Sequence, residues 1–510
     1  MNVSSSFYQR ESFVYFTAFI ASLLLSLWIV SRVAIINPDA VCYVMGAEVF
    51  GQSGIKSVLS LCTQSKWPFY SVLIYEFVKW TPLSFVNAAY VLDAFFTLGS
   101  VLSFILIVKE LGGSRRVLWL ALFVILFSHG FNSVREYIIR DHGFWFFYLL
   151  SLLFLLRYFK TPHLKIALGF SASLMLATLF RVEGIIFLLL LPLVAWAHRS
   201  FSFKQRLQAF MSLSGPSLMI GILFGLWFLL HPHQSTQGLG RIPEVINQFR
   251  HGIAMMIERY VTMKSALAQH VLTADSARDA GLVILIVLFV WYVLSVCSNL
   301  TVGYAALFIY ALIKRIRFQA ASSHWVLNFY LSINILITFI FLFEHLFLSK
   351  RYLIALSLIF MLWVPFALDD LIQKWGNFRH RLFLLMVSFI LFISSISGIF
   401  DFGDSKYYVY AGGNWLAEHV PRQAKLYLND YQLTYYSKHF GSEMFNQFGQ
   451  LEHVNIFLDD TWKKYDYLAF RIRRKEKDQY LSLLKAIPFA PLQVFNNKKG
   501  GDQVVIYKVN

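Results

Sequence analysis

The sequence predicts a polytopic α-helical membrane protein of about eleven transmembrane helices followed by a small α/β domain, and three observations carry that prediction. The 510 residues are 57% hydrophobic and only 14% charged, against roughly 25% charged residues in a soluble domain. The apolar residues fall in runs of about 20, the length that crosses a bilayer as a helix. Basic clusters recur in alternate connections between those runs, the bias that cytoplasmic loops show. The composition excludes an ordinary cytosolic enzyme. A net charge of +17 would suggest nucleic acid in a soluble chain, but here the basic residues sit in the connections, so no nucleic-acid partner is implied.

The first run, 13–36, is too long for a signal peptide and lacks a small-residue cleavage site, so it reads as a retained span. Further runs follow at 85–108, 117–131, 144–159, 166–180, 185–197, 207–230, 282–313, 325–348, 352–368 and 382–399. Two are ambiguous by length. Arg181 and Glu183 divide 166–197, and a charged pair at mid-bilayer is costly enough to favour two short helices joined at the outer side. The 282–313 run reads as one long, tilted helix. The basic clusters are Lys109/Arg115/Arg116, Arg157/Lys160/Lys165, Arg199/Lys204/Arg206, Lys314/Arg315/Arg317 and Lys374/Arg379/Arg381. They put the N-terminus inside and everything after residue 399 outside.

The expected division is therefore a transmembrane domain over 1–400, with outer loops at 37–66 and 231–280, and an extracytoplasmic α/β domain over 401–510. In the latter, strands are expected at 425–429, 467–472, 491–496 and 503–509, with helices near Trp415 and over 475–484. Residues 497–501 read as the turn of a closing hairpin, because Gly500 and Gly501 tolerate positive φ. No internal repeat, Walker-type loop or dinucleotide-binding glycine fingerprint occurs. Three cysteines make neither a disulfide framework nor a zinc cluster. Cys42 and Cys62 share the first outer loop and could pair in an oxidising compartment, two separate thiols being the simpler reading, while Cys297 belongs to an apolar run.

The charges at the outer ends of the spans are the informative residues, since burial in or near lipid is expensive unless they pair or serve a pathway. Asp39 directly follows Asn37-Pro38, where a carboxylate can either cap a helix or take a proton from a hydroxyl. Lys66 re-enters the membrane in Ser65-Lys66-Trp67-Pro68, as a snorkelling cation or an anion ligand. Arg135, Glu136, Arg140, Asp141 and His142 crowd one short loop, either as a self-neutralising salt-bridge cluster or as cavity charges. Arg181 and Glu183 form a structural ion pair or an anion site. Glu344 and His345, with Lys350 and Arg351, flank a late hairpin, and adjacent cations there suit a phosphate or a lipid headgroup. All lie on the predicted outer face.

In order and topology these motifs resemble those of the integral-membrane glycosyltransferases of the GT-C fold, in the bacterial branch similar to the protein O-mannosyltransferase and aminoarabinose-transferase families. The resemblance covers nearly the whole chain. It rests on Asn37-Pro38-Asp39-Ala40-Val41-Cys42-Tyr43, Ser65-Lys66-Trp67-Pro68, Leu179-Phe180-Arg181-Val182-Glu183-Gly184 and Ser349-Lys350-Arg351-Tyr352-Leu353, with Gly413-Asn414-Trp415-Leu416 and Ala424 to Asp430 in the tail. It implies transfer of a sugar from a polyprenyl-phosphate carrier to an acceptor hydroxyl on a cell-envelope glycolipid, glycan or protein, with inversion, at the outer face of a bacterial inner membrane. Carried over by position, Asp39 would be the general base, and Lys66, Lys350 and Arg351 would hold the donor phosphate. Arg181, with Glu183 and His345, would line the cavity, to which charge and topology add Arg140 and Asp141.

Two departures bear on a metal. Many relatives carry Asp-Glu at the first motif, where this chain has Asp39-Ala40, and some carry a glutamate where Ser65 stands. The expectation is therefore no certain cofactor, with a divalent metal left unassigned. The rival class is a secondary transporter or flippase of an anionic or lipid-linked substrate, which should show inverted repeats and broken helices that the sequence does not display.

Overall fold

The computed structural model describes residues 11–198, 201–230, 240–318, 321–400, 405–439, 461–485, 487–497 and 501–509. The chain packs as two compact units. The first takes the described residues of 1–28, 92–135 and 140–400, and the second those of 29–91, 136–139 and 401–510. The first loop is thus grouped with the described part of the tail.

The first unit is helical. Among the described residues, six helices are long and apolar enough to cross a membrane: Glu11–Val30, Phe85–Glu110, Asp141–Lys160, Ala277–Leu300, Ser323–His345 and Phe378–Ile399. The bent pair Lys350–Met361 and Val364–Gln373, angled by 40°, makes a seventh if it is one span, and shorter apolar helices run over Leu164–Phe180, Gly184–Ala197 and Val302–Ile313. Length explains the six directly: the 26 residues of Phe85–Glu110 rise about 39 Å, enough for the roughly 30 Å hydrocarbon core with some tilt.

The split at Arg181 and Glu183 occurs as expected, because both charges fall in the connection between Leu164–Phe180 and Gly184–Leu190. The two helices before that connection approach closely, since a Cβ on Gly143 would lie 2.3 Å from the Phe180 ring. The 282–313 run does not form one tilted helix. It breaks at Thr301, whose φ of 67° separates Ala280–Leu300 from Val302–Ile313. A β-branched residue there costs on the order of 1–3 kcal/mol and persists only where neighbours enforce it. They do so just before the break, where buried Asn299 donates from Nδ2 to Ser357 Oγ at 2.8 Å. Both long connections contain helix. The first contains the helix Pro38–Leu59 and the second the 29-residue helix Ile242–His270; residues 231–239 lie outside the described residues.

The second unit holds the sheet. Strands β1 (Leu426–Leu428), β2 (Tyr467–Ile472), β3 (Gln493–Asn496) and β4 (Gln503–Lys508) fall within the four expected runs. Their order is β1-β2-β4-β3, with β1 parallel to β2 and the other pairs antiparallel. Alternation along the strands buries both faces. Leu468, Phe470 and Ile472 face Tyr480 and Leu484 of the helix Lys477–Leu484. Ala469, Val504 and Ile506 face Tyr408, Val409 and Leu416 of the helix Tyr407–His419, together with Ile35. The helix Tyr431–Ser437 packs beside Tyr407–His419 at Gly413, where an added Cβ would stand 2.4 Å from Tyr436 Cβ. Of the closing hairpin, Gly501 has φ 73° and Asn497 N donates to Asp502 O at 2.8 Å, while 498–500 lie outside the described residues.

Candidate active site

The sequence-predicted site residues divide between the units. Asp39 and Lys66 belong to the second, and Arg140, Asp141, Arg181, Glu183, His345, Lys350 and Arg351 to the first.

Asp39 is placed by the proline before it. Asn37 is extended, with φ −69° and ψ 159°, as a residue preceding proline must be. Pro38 then opens the helix Pro38–Leu59 in a first turn, where its missing N–H costs nothing. Asn37 is the N-cap residue, and its side chain is engaged elsewhere: Oδ1 accepts from Ile138 N at 2.9 Å and Nδ2 donates to Ile138 O at 3.4 Å. Asp39 therefore occupies the first helical turn, where the helix dipole favours a carboxylate, and is not the cap itself. Its Oδ1 accepts from Gln64 Nε2 at 3.0 Å.

Gln64 begins a single 3₁₀ turn that ends at Lys66. Ser65, in its centre, is fully buried, with Oγ accepting from Cys62 N at 3.0 Å and donating to Cys62 O at 2.7 Å. Cys62 pairs with Cys42 in a disulfide with a Cα separation of 6.3 Å. Cys42 lies one helical turn beyond Asp39, on the same face. The carboxylate and the lysine-bearing turn are thus tied twice, by a covalent bridge and by the Gln64 amide.

In the first unit the charges form one buried knot. Arg181 Nη1 bonds Asp141 Oδ1, and Arg181 Nη2 reaches Glu183 Oε1 at 2.6 Å. The guanidinium lies over the ring of Tyr352, 4.8 Å from its centroid, and 5.6 Å from that of Phe144. Arg351 flanks the same Tyr352 ring at 5.2 Å, with Nη2 donating to the hydroxyl at 3.4 Å. Asp141 also feels the charges of Arg351 and Arg140, and Glu183 that of Arg140. Burial pushes the Glu183 carboxyl up, but the charge and hydrogen bonds of Arg181 outweigh it and hold the group at about 2. Nη1 of Arg140, itself only 9% exposed, is buried without a hydrogen-bond partner. Guanidinium groups gathered in this way suit an anion.

The remaining predicted residues stand further out. Lys350 and Arg351 share the 3₁₀ turn Lys350–Leu353, with Lys350 exposed and close enough to His129 to act on it electrostatically. His345 ends the helix Ala321–His345, exposed, with Nε2 3.9 Å from Glu344 and its ring 4.4 Å from that of Phe341. The self-neutralising reading of the 135–142 loop does not hold for Arg135. Its guanidinium is buried against Ser22 O, Ser26 Oγ and Asn132 Oδ1, at 3.1, 2.8 and 2.9 Å.

Sequence reasoning missed Gln64 and the role of Tyr352 as the ring between two arginines. Ser22 and Ser26, four apart in an apolar run, were a signal for a buried polar partner; a lone loop glutamine carried none. For a metal, no three of His, Cys, Asp and Glu come together among the described residues, and neither Ala40 nor Ser65 adds a carboxylate beside Asp39. This donor set does not fit a divalent cation, and no step is routed through one.

No protein-family profile matches the chain, and no curated protein is detectably similar to it in sequence. Solved structures are. ArnT from Cupriavidus metallidurans, bound to undecaprenyl phosphate, superposes with a TM-score of 0.53 at 14% identity, over 96% of this chain and 98% of its own. The archaeal oligosaccharyltransferase AglB from Archaeoglobus fulgidus, in complex with an inhibitory peptide and a dolichol-phosphate, does so with a TM-score of 0.52 at 10% identity, over 94% of this chain and 71% of its own. Both are membrane glycosyltransferases of one fold class. The fold is GT-C. With the apolar helices above, the GT-C fold makes this an integral, multi-pass membrane protein.

Proposed function

We propose that this GT-C protein is a glycosyltransferase that moves a hexosyl or pentosyl group from a polyprenyl-phosphate-linked donor to a hydroxyl of a glycolipid, glycan or protein. The reaction is read at the outer face of a bacterial inner membrane, with the N-terminus cytoplasmic and the 401–510 segment periplasmic. The observation that carries this reading is Asp39: a half-buried carboxylate in the first turn of the helix that follows the first apolar helix, accepting from Gln64, in a fold that includes solved structures bound to undecaprenyl phosphate and to a dolichol-phosphate.

The chemistry needs little else. The acceptor oxygen attacks the anomeric carbon with inversion, its proton passes to Asp39, and the bond to the carrier's phosphate breaks with the electron pair going to phosphate oxygen. Phosphate leaves without protonation, so the second carboxylic acid of glycoside hydrolysis is dispensable. Of the cations, this reading assigns Lys66, on the turn tied to Asp39, and in the other unit Lys350 and Arg351, to the charge that gathers on the leaving phosphate. The Arg140, Asp141, Arg181 and Glu183 knot holds the guanidinium groups around Tyr352.

The test compares purified wild-type and Asp39→Asn protein. Each is incubated with a panel of undecaprenyl-phosphate hexoses and pentoses and a membrane extract, and release of undecaprenyl phosphate is followed by mass spectrometry. Release by wild type alone is expected, and normal turnover by Asp39→Asn refutes the base assignment.

A further inference from the structure

The segment that leads into Asp39 is gripped by the C-terminal part of its own unit. Both backbone groups of Ile36 are taken by side chains of one short helix. Ile36 N donates to Tyr436 Oη at 3.0 Å, and Ile36 O accepts from Gln432 Nε2 at 2.5 Å. Gln432 and Tyr436 are four apart on the helix Tyr431–Ser437, hence on one face. With Asn37 held by both backbone groups of Ile138, the two residues before Pro38-Asp39 have no freedom to swing.

The gripping helix is itself anchored. Gln432 is 2% exposed, and its Oε1 accepts from Arg471 Nη1 at 2.5 Å. Arg471, on β2, is also buried; it donates to Asp430 Oδ2 at 2.8 Å and to Tyr408 Oη at 3.1 Å. Asp430 in turn caps the helix, with Oδ1 accepting from the N–H groups of Gln432 and Leu433 at 3.0 and 3.1 Å. Gly413 lets the helix Tyr407–His419 lie directly against Tyr436. A buried arginine inside the sheet thus ends, through one glutamine, on the carbonyl three residues before the carboxylate. Fully paired buried networks of this kind fix one geometry rather than adding much net stability.

We propose that Gln432 and Tyr436 are positioning residues for Asp39, so that the C-terminal segment takes part in catalysis by holding the base-bearing turn. The functional half of this inference rests on the reading of Asp39 as the base; the structural half does not. Misplacing a reacting group by about 1 Å costs up to roughly a hundredfold in rate, so loosening the turn lowers kcat.

Three variants separate the parts. Gln432→Met removes both hydrogen bonds at constant length, Gln432→Glu keeps an acceptor for Arg471 while losing the donor to Ile36, and Tyr436→Phe removes a single oxygen. Hydrogen exchange in the full-length protein, read by mass spectrometry on peptides covering 33–41, should accelerate about tenfold or more in all three. In the transfer assay kcat should fall about tenfold with donor and acceptor KM unchanged, and Gln432→Met should add nothing to Asp39→Asn. Exchange needs no substrate and the milder Tyr436→Phe needs no repacking, so the clamp is tested even where turnover is not seen. Unchanged exchange sinks the clamp, and a raised acceptor KM with normal kcat reassigns these residues to docking. Normal turnover of Asp39→Asn sinks the base assignment instead.

Discussion

Glu183 offers the sharpest quantitative prediction, because its carboxyl is displaced by a named partner. Its folded-state value lies near 2, against 4.5 for an ordinary glutamate, with Arg181 as the cause. A depressed carboxyl contributes stability above its unfolded value and loses it as pH falls through its folded one. The window is therefore pH 4.5 down to about 2. At about 1.4 kcal/mol per unit, the displacement is worth at most about 3.5 kcal/mol at neutral pH, and a side chain 29% exposed is screened enough to realise less. Glu183→Gln should then lower the melting temperature by several degrees at pH 7, read by scanning fluorimetry in detergent micelles, and the gap should narrow towards pH 3. Arg181 keeps Asp141 in this variant, so the charge is not stranded. In an Arg181→Met background the same change should cost much less. A gap that stays constant from pH 7 to pH 3, or an equal cost in both backgrounds, would refute the ion-pair origin of the shift.

Two further outcomes follow from the first unit. Arg351→Ala should raise the donor KM at least tenfold in the transfer assay, since about 1.4 kcal/mol of phosphate contact corresponds to that factor; an unchanged KM returns the residue to packing on Tyr352. Gly143→Ala should destabilise by about 1–3 kcal/mol through overpacking, because its Cβ would meet the Phe180 ring at 2.3 Å. A wild-type melting temperature would mean that the ring moves aside freely.

What could be read in the sequence was whatever leaves a periodic or compositional trace. Apolar run length located the long helices, and alternation located four strands, because burial on a defined face imposes a period. The break at Thr301 escaped for the same reason: residues 302–313 are aliphatic or aromatic apart from Gly303, as a continuing span would be. A tertiary bond such as that from Asn299 to Ser357, beside the positive φ of Thr301, is what distinguishes a broken helix from a tilted one. The helix Ile242–His270 was hidden differently, since its polar and apolar residues mix at a helical period that run length does not detect.

The site shows the same division at the level of single residues. Charges near a membrane are conspicuous because lipid penalises them, so Asp39, Lys66, Arg181 and Arg351 stand out without any structure. Residues that act by hydrogen-bonding a backbone group do not. Gln432 meets Ile36 across 396 positions, and its partner atoms are a carbonyl and an N–H that every residue possesses. No pattern of side chains can announce such a contact, so the groups that hold the turn before Asp39 are legible only once the chain has folded around it.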